Sequence, residues 1–99
     1  GERDLVLWRN NVGVAEHWNG RDVQRVRYGL APGSADLVGV LGPAVRWFAL
    51  EIKTATGRVT PEQTQWLALV RQMGGFGAVV RSVAEARDAL ERARRGERE

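Results

Sequence analysis

The chain has 99 residues, enough for one small domain with a single modest core. It has no cysteine, which excludes disulfides, zinc–thiolate sites and cysteine nucleophiles. No apolar run approaches the roughly 20 residues that a membrane-spanning helix needs, so we expect none. The formal net charge is +3, and Lys53 is the only lysine among 15 basic residues. This arginine bias favours a polyanionic partner, although a GC-rich genome is an equally good explanation.

Strand patterns dominate the chain up to residue 53 and return once near its end. Apolar and β-branched residues mark these segments, and turn-forming residues separate them. Asn19–Gly20 predicts a hairpin turn. The strand-like segments are residues 5–18, broken at Asn10, Asn11 and Gly13, then 22–29, 36–41, 46–53 and 76–81.

Two segments predict helices, each opened by a hydroxyl residue at the N-cap position. Thr60, Pro61 and Gln63 form a capping-box start. Ser82 and Glu85 repeat the capping-box logic for a last helix that runs to about residue 95, and we expect the charged tail at 95–99 to fray. The residues predicted to face inwards are Trp66, Leu67, Val70 and Met73 on the first helix and Ala86, Leu90 and Ala93 on the second.

The order of the predicted elements is a hairpin, two strands, a helix, a strand and a helix. The strand–helix–strand unit over residues 46–81 implies a parallel strand pair with a right-handed crossover. The hairpins before it imply antiparallel neighbours. We therefore expect residues 1–99 to form one α/β domain with a mixed sheet flanked by helices.

The strand at 46–53 carries two opposite charges among its apolar residues. Alternation places Glu51 and Lys53 on one face, about 6–7 Å apart, and Phe48, Leu50 and Ile52 on the other. Burying an unpaired charge is costly, so the pair needs an explanation. A salt bridge between the two side chains at a sheet edge is one explanation that involves no chemistry.

Asp36 suggests a different explanation, because it stands at the head of the neighbouring predicted strand. Two carboxylates brought together by adjacent strands repel and raise each other's pKa, and a hard divalent cation resolves the conflict. Mg²⁺ typically takes one or two protein carboxylates, with waters and phosphate oxygens completing its shell. The main-chain carbonyl of Ile52 is a candidate third ligand, and Lys53 is placed to orient or help deprotonate an attacking water. Such a site would support metal-assisted phosphodiester hydrolysis.

These residues resemble the PD-(D/E)xK nuclease signature, with Asp36 followed after fourteen residues by Glu51-Ile52-Lys53. The segments GLAPGSADLVGVL, ALEIKTATGRVTPEQTQWL and MGGFGAVVRSVAEA resemble the VRR-NUC family over about residues 27–90. The resemblance implies a restriction-endonuclease-like fold and a Mg²⁺-dependent nuclease, with Mn²⁺ able to substitute.

The resemblance also implies roles for individual residues. Asp36 and Glu51 would hold the metal, and Lys53 would be the catalytic lysine. Gln63 matches a glutamine near the family's active site, although a capping-box glutamine needs no chemistry; the two roles are compatible. Related proteins begin with a helix that carries a further metal-ligand glutamate, for which Glu2 is the candidate here. Ala35 replaces the proline that usually precedes the aspartate, a common variation.

Single-domain members of the family resemble Holliday-junction resolvases and act as homodimers. The resemblance therefore implies an intracellular endonuclease, bacterial or phage-encoded, that acts on branched DNA in replication or repair. The alternative from another class is a non-catalytic nucleic-acid-binding or assembly module that retains the fold.

Several polar residues are candidate contacts to the DNA backbone. Arg58 is the best placed, because its loop follows the strand with the charged pair. Arg9 and Asn11 either contact DNA or belong to a turn, and Ser34 either touches a phosphate or serves its Pro-Gly loop. Arg27 is a further candidate on the predicted hairpin. For the tryptophans we expect core packing at Trp47 and Trp66.

Overall fold

The structure is a computed structural model, and it describes residues 3–18 and 20–99. The described residues form six strands and two helices. From residue 36 onwards their order is as predicted, whereas the predicted segment 5–18 is divided into two strands, of which the first pairs with the strand at 37–41 and the second forms the hairpin. No helix in the described part of the chain is long and apolar enough to cross a membrane. The elements are β1 (Leu5–Arg9), β2 (Gly13–Trp18), β3 (Val23–Tyr28), β4 (Leu37–Leu41), β5 (Arg46–Ile52), α1 (Pro61–Gln72), β6 (Phe76–Val80) and α2 (Val83–Arg94).

The main sheet has four strands in the order β1-β4-β5-β6. β4 runs antiparallel to both β1 and β5, whereas β5 and β6 run parallel because α1 connects them. This mixed sheet, flanked by two helices, confirms the predicted restriction-endonuclease-like fold class.

The alternation of β5 divides the core into two layers. Phe48 and Leu50 pack on the α2 side of the sheet together with Phe76, whose ring stacks on that of Phe48 at a centroid distance of 5.4 Å. Ala49 packs on the α1 side against Leu67. Residue 51 therefore faces α1, at the end of an apolar layer.

Strands β2 and β3 form a separate two-stranded antiparallel sheet. Trp18 pairs with Val23, so the paired strands are farther apart in sequence than the two-residue turn that Asn-Gly favours would allow; the predicted turn residue Asn19 lies outside the described residues. An isolated two-stranded hairpin is marginally stable in water, and Trp18 and Val23 are exposed near its tip.

Both helices begin as predicted, and α1 has the full capping box at Thr60 and Gln63. Two expectations about packing were wrong. Met73 is 80% exposed and Trp47 is 49% exposed. Met73 is the C-cap of α1, where the chain leaves the helical path, so the helical spacing that placed it inwards no longer applies. Trp47 instead lines a shallow surface cleft that also includes Met73.

The C-terminal tail is docked, where we expected it to fray. The amide of Gly77 on β6 donates to the carbonyl of Arg98 at 2.9 Å. Arg46 on β5 donates to the carbonyls of Gly74, Ala93 and Glu97 at 3.1, 2.7 and 2.8 Å. One guanidinium thereby ties the ends of both helices and the tail to the sheet.

We predict that Arg46→Ala lowers the free energy of unfolding by about 2 kcal/mol, since hydrogen bonds from a charged donor contribute about 1.5–3 kcal/mol. Denaturant unfolding followed by circular dichroism measures the change. Arg95→Ala is the control, because Arg95 is exposed and makes a surface ion pair with Glu97, worth about 0–1 kcal/mol. Equal losses in the two variants would contradict this role for Arg46.

Candidate active site

The loop before β4 delivers Asp36 to the start of α1. Gly33 adopts a φ of +85°, and a β-carbon there would collide with Glu62 in the first turn of α1, so the loop can lie against the helix only with glycine. Asn10 holds the same loop from the other side: its amide donates to Ser34 Oγ at 2.7 Å and to the carbonyl of Ala35 at 2.8 Å. The position of Asp36 is thus fixed by packing on both sides.

Asp36 meets the end of β5. Its Oδ2 accepts a hydrogen bond from the amide of Ile52 at 2.9 Å. The antiparallel register pairs Leu37 with Leu50. One residue further along each strand, the same register places Asp36 opposite Glu51. The two carboxylates predicted to converge are therefore brought together by the antiparallel pairing of β4 and β5.

Glu51 is an unusual carboxylate, because it is only 2% exposed. Its Oε1 accepts a hydrogen bond from Gln63 Nε2 at 3.0 Å, whereas its Oε2 is buried and has no hydrogen-bond partner among the described residues. Burial, followed by the nearby charge of Asp36, raises the pKa of Glu51 to about 7. A buried acceptor without a donor costs about 1–3 kcal/mol, and this cost needs a functional explanation.

Gln63 has both of the contacts considered for it. Its side-chain Oε1 accepts a hydrogen bond from the main-chain amide of Thr60 at 2.9 Å. Its main-chain amide donates to the Thr60 hydroxyl at 3.2 Å, which closes the capping box. The side-chain Nε2 of Gln63 donates the hydrogen bond to Glu51 Oε1. The cap fixes the orientation of Gln63, and Gln63 in turn fixes one oxygen of Glu51.

Lys53 lies on the same face as Glu51, with its Nζ 3.6 Å from Glu51 Oε1. This is the ion pair that the purely structural interpretation predicts. It does not neutralise the site, because the pKa of Glu51 is raised despite the lowering effect of Lys53. The side chain of Lys53 is 18% exposed, so it is partly accessible to solvent.

Sequence reasoning missed Arg81, which supports the loop after β5. Its Nη1 donates to the carbonyls of Thr54 and Gly57 at 2.6 and 2.7 Å. This contact holds residues 54–57, the segment between Lys53 and Arg58. An arginine after a short strand has no local pattern that announces such a contact over more than 20 residues, so only the fold could identify it.

The donor set fits a hard cation with a largely aqueous shell. Among residues 3–18 and 20–99, no three acidic, histidine or cysteine side chains form a cluster that could enclose a metal. Asp36 and the free oxygen of Glu51 remain as two carboxylate donors, a number typical of Mg²⁺ sites. The buried oxygen without a donor is the feature that a cation would satisfy. The proposed ligand Glu2 lies outside the described residues.

The predicted DNA contacts are distributed unevenly. Arg58, next to the site, is exposed, as are Arg27 and Asn11 on or near the hairpin. Ser34 is 7% exposed and its hydroxyl is taken by Asn10, so its position favours the role in the loop over phosphate contact. Arg9 alternates with the buried Asn10 along the chain and therefore points to the α2 face, away from Glu51.

Together, the mixed sheet and two converging carboxylates beside a lysine define a restriction-endonuclease-like domain of the nuclease type. The family model described as VRR-NUC domain matches residues 2–84, and the chain belongs to this family. The match confirms the resemblance found in the sequence and implies DNA as the substrate of the domain. Comparisons with curated proteins and with solved structures gave no match.

We predict that Glu51→Gln stabilises the metal-free protein at alkaline pH. The pKa of Glu51 in the folded protein is raised from 4.5 to about 7. Between these two pH values Glu51 is ionised in the unfolded chain but protonated in the folded one, so the free energy of unfolding of the wild type falls as pH rises from 4.5 to about 7. The variant keeps an acceptor for Gln63 and escapes this penalty. At pH 8 it should be more stable by about 2–3 kcal/mol.

Chemical denaturation at several pH values, in the presence of a chelator, measures this difference. Asp88→Asn is the control, because Asp88 is an exposed carboxylate paired with Arg92 on the surface. The prediction would be wrong if the free energy of unfolding of the wild type rose between pH 4.5 and 7 relative to that of Glu51→Gln, because the folded protein would then favour the ionised form of Glu51.

Proposed function

We propose that this domain is a divalent-metal-dependent endodeoxyribonuclease that cuts branched DNA as a homodimer. The observation that carries the proposal is the buried Glu51 carboxylate, which faces Asp36 with one oxygen unpartnered. A structural ion pair with Lys53 alone would not require a second carboxylate, nor would it leave that oxygen without a donor.

Asp36 and Glu51 would hold Mg²⁺, with the main-chain carbonyl of Ile52 as a third donor. When bound, the cation would supply positive charge to the phosphate and lower the pKa of a water molecule. Gln63 keeps Glu51 oriented towards the site, and the capping box keeps Gln63 in place.

Lys53 would act on the scissile phosphate or on the attacking water. Its ammonium group is 3.6 Å from Glu51 and partly exposed, so a small movement would turn it towards a bound phosphate. There it would offset the charge that develops on the phosphate oxygens, or hold the water in line for attack. Lys53 thus exchanges one anionic partner for another during the reaction.

A non-catalytic DNA-binding or assembly module is the second candidate. The observation in its favour is that the described residues supply only a pair of acidic ligands rather than a cluster. This candidate predicts DNA binding without cleavage.

We predict that wild-type protein cleaves labelled four-way-junction or flap DNA with Mg²⁺ or Mn²⁺ and not with EDTA. Lys53→Ala should reduce the cleavage rate by about 100-fold or more, in line with the loss of one transition-state charge contact. Single-stranded and linear duplex DNA complete the substrate panel. Cleavage products are resolved on denaturing gels.

Arg87→Ala is the charge-matched control for this experiment, since Arg87 is an exposed cation on α2, on the opposite side of the sheet. It should retain the wild-type rate. DNA binding by the wild type without cleavage on any substrate would favour the assembly module and refute the nuclease.

The β2–β3 hairpin supplies a second surface for DNA. Two arginines of β3, Arg25 and Arg27, have different cross-strand neighbours. Arg27 is paired across the strands with Val14, whereas Arg25 is opposite Glu16. Opposite charges directly across a strand pair attract each other, so Glu16 offsets the charge of Arg25. Arg27 has a neutral neighbour and is the better phosphate contact.

We predict that Arg27→Ala weakens DNA binding several-fold on every sequence and reduces the slope of log affinity against log salt by about 1. Fluorescence anisotropy with a fixed junction substrate, in EDTA to prevent cleavage, measures both quantities. Arg25→Ala is the matched control and should have a smaller effect. A salt slope unchanged by Arg27→Ala would exclude a direct phosphate contact.

A further inference from the structure

The two edge strands of the main sheet, β1 and β6, differ in whether their outward main-chain groups have hydrogen-bond partners. On β6, Gly77 presents its main chain outwards, and the protein covers it: the amide donates to the carbonyl of Arg98 and the carbonyl accepts from Arg71 Nε, at 2.9 and 2.8 Å. On β1, by contrast, no strand of the described chain pairs with the outer edge. An open edge is a template for another strand, and natural proteins normally protect it.

The hydrogen bonds at both ends of β1 show which residues face outwards. Gly42 donates to the carbonyl of Asp4, and Asn10 donates to the carbonyl of Asp36. Each of these is a directly opposed pair in the β1–β4 register, so the even-numbered residues are bonded to β4. The outward amides and carbonyls are therefore those of Leu5, Leu7 and Arg9.

Among the features that usually blunt an edge strand, β1 has a short length of five residues and one charged residue, Arg9 at its end. Its sequence is Leu-Val-Leu-Trp-Arg, without proline or lysine. Leu7 is 40% exposed on the α2 face, where it lines an apolar groove with Leu5 and Leu90. Val6 and Trp8 are 52% and 51% exposed on the other face. Apolar surface therefore borders the open edge on both sides.

We propose that β1 is the dimer interface, pairing antiparallel with β1 of a second copy about a two-fold axis at Leu7. This register uses every outward group, because Leu7 pairs with itself and Leu5 pairs with Arg9, for about six hydrogen bonds. Registers centred on residue 6 or 8 leave one of the three residues unpaired, and a register centred on Arg9 opposes two like charges.

The side chains are complementary in the same register. Val6 lies opposite Trp8 of the second copy, a non-hydrogen-bonded pair in which side chains approach closely. Aromatic and β-branched residues form favourable cross-strand pairs. On the α2 face, the two Leu7 side chains meet and extend the apolar groove of each copy. A peptide of unrelated sequence would satisfy the edge but not this self-complementary pattern.

The consequence for cutting rests on the proposed function. A two-fold axis perpendicular to the sheet keeps both α1 faces, and with them both Glu51 sites, on one side of a continuous eight-stranded sheet. Strand spacing and rise per residue place the two sites roughly 30 Å apart. Two sites on one face are what symmetric cleavage of two strands in one junction requires.

The test uses cysteine cross-linking in the protein without DNA or metal, so its failure is independent of any failure of nuclease activity. The chain has no native cysteine. In Leu7→Cys, the two sulfur-bearing residues would be opposed at a Cα separation of about 5.5 Å, within the range for a disulfide. In Val6→Cys they would be more than about 7 Å apart, too far to bridge.

The expected result is rapid disulfide dimerisation of Leu7→Cys and little of Val6→Cys under the same oxidant. Light scattering should give the wild type a mass twice the 11.0 kDa of the chain. Leu7→Pro, which removes an outward amide without touching the β1–β4 ladder, should raise the dimer dissociation constant about tenfold or more, while Leu7→Thr should leave it within a few-fold of wild type.

Three results would each overturn the proposal. The first is a monomeric wild type at the highest concentration tested, which would leave the edge to another protein. The second is equal cross-linking of Leu7→Cys and Val6→Cys. The third is a dimer that forms no Leu7→Cys disulfide, which would place the interface elsewhere even if the domain proves to be a nuclease.

Discussion

The arrangement of this domain depends on one buried carboxylate. Glu51 is placed on the inner face of β5, at the end of an apolar layer, where it is 2% exposed and one of its oxygens has no donor. Burial and the nearby Asp36 raise its pKa to about 7. The fold thus carries an electrostatic cost at this point that an aliphatic residue would avoid, and the contacts with Lys53 and Gln63 relieve that cost only in part.

Those contacts come from separate parts of the chain. Asn10 and Gly33 fix the loop that brings Asp36 to the end of β5, and the capped first turn of α1 fixes Gln63 against Glu51. Arg81 supports the following loop from β6. Asp36 and Glu51 are each held by a hydrogen bond from the protein, so the two carboxylates are preorganised before any ligand binds. Such preorganisation is what an electrostatic mechanism needs, because no energy is then spent on reorienting the ligands.

Local patterns predicted most of the fold and the approach of Asp36 to Glu51. The period-2 pattern of β5 placed Glu51 and Lys53 together, and the Thr-x-x-Gln start of α1 positioned Gln63 correctly. The exposure of Trp47 and Met73 was not predictable, because it depends on the position above the sheet at which α1 ends, and the sequence pattern does not give that position. The docked tail depends on Arg46 contacts that span more than 40 residues. Long-range arginine contacts, such as those of Arg46 and Arg81, leave no periodic signal in the sequence.

Titration calorimetry of Mn²⁺ into the wild type, Glu51→Gln and Lys53→Ala tests the central claim most directly, because it needs neither DNA nor cleavage. If the free oxygen of Glu51 is a cation ligand, the wild type binds the metal at a defined site and Glu51→Gln loses that binding. Lys53→Ala should bind at least as tightly as the wild type, since a competing positive charge is removed. Equal binding by the wild type and Glu51→Gln, or no binding by either, would contradict the account.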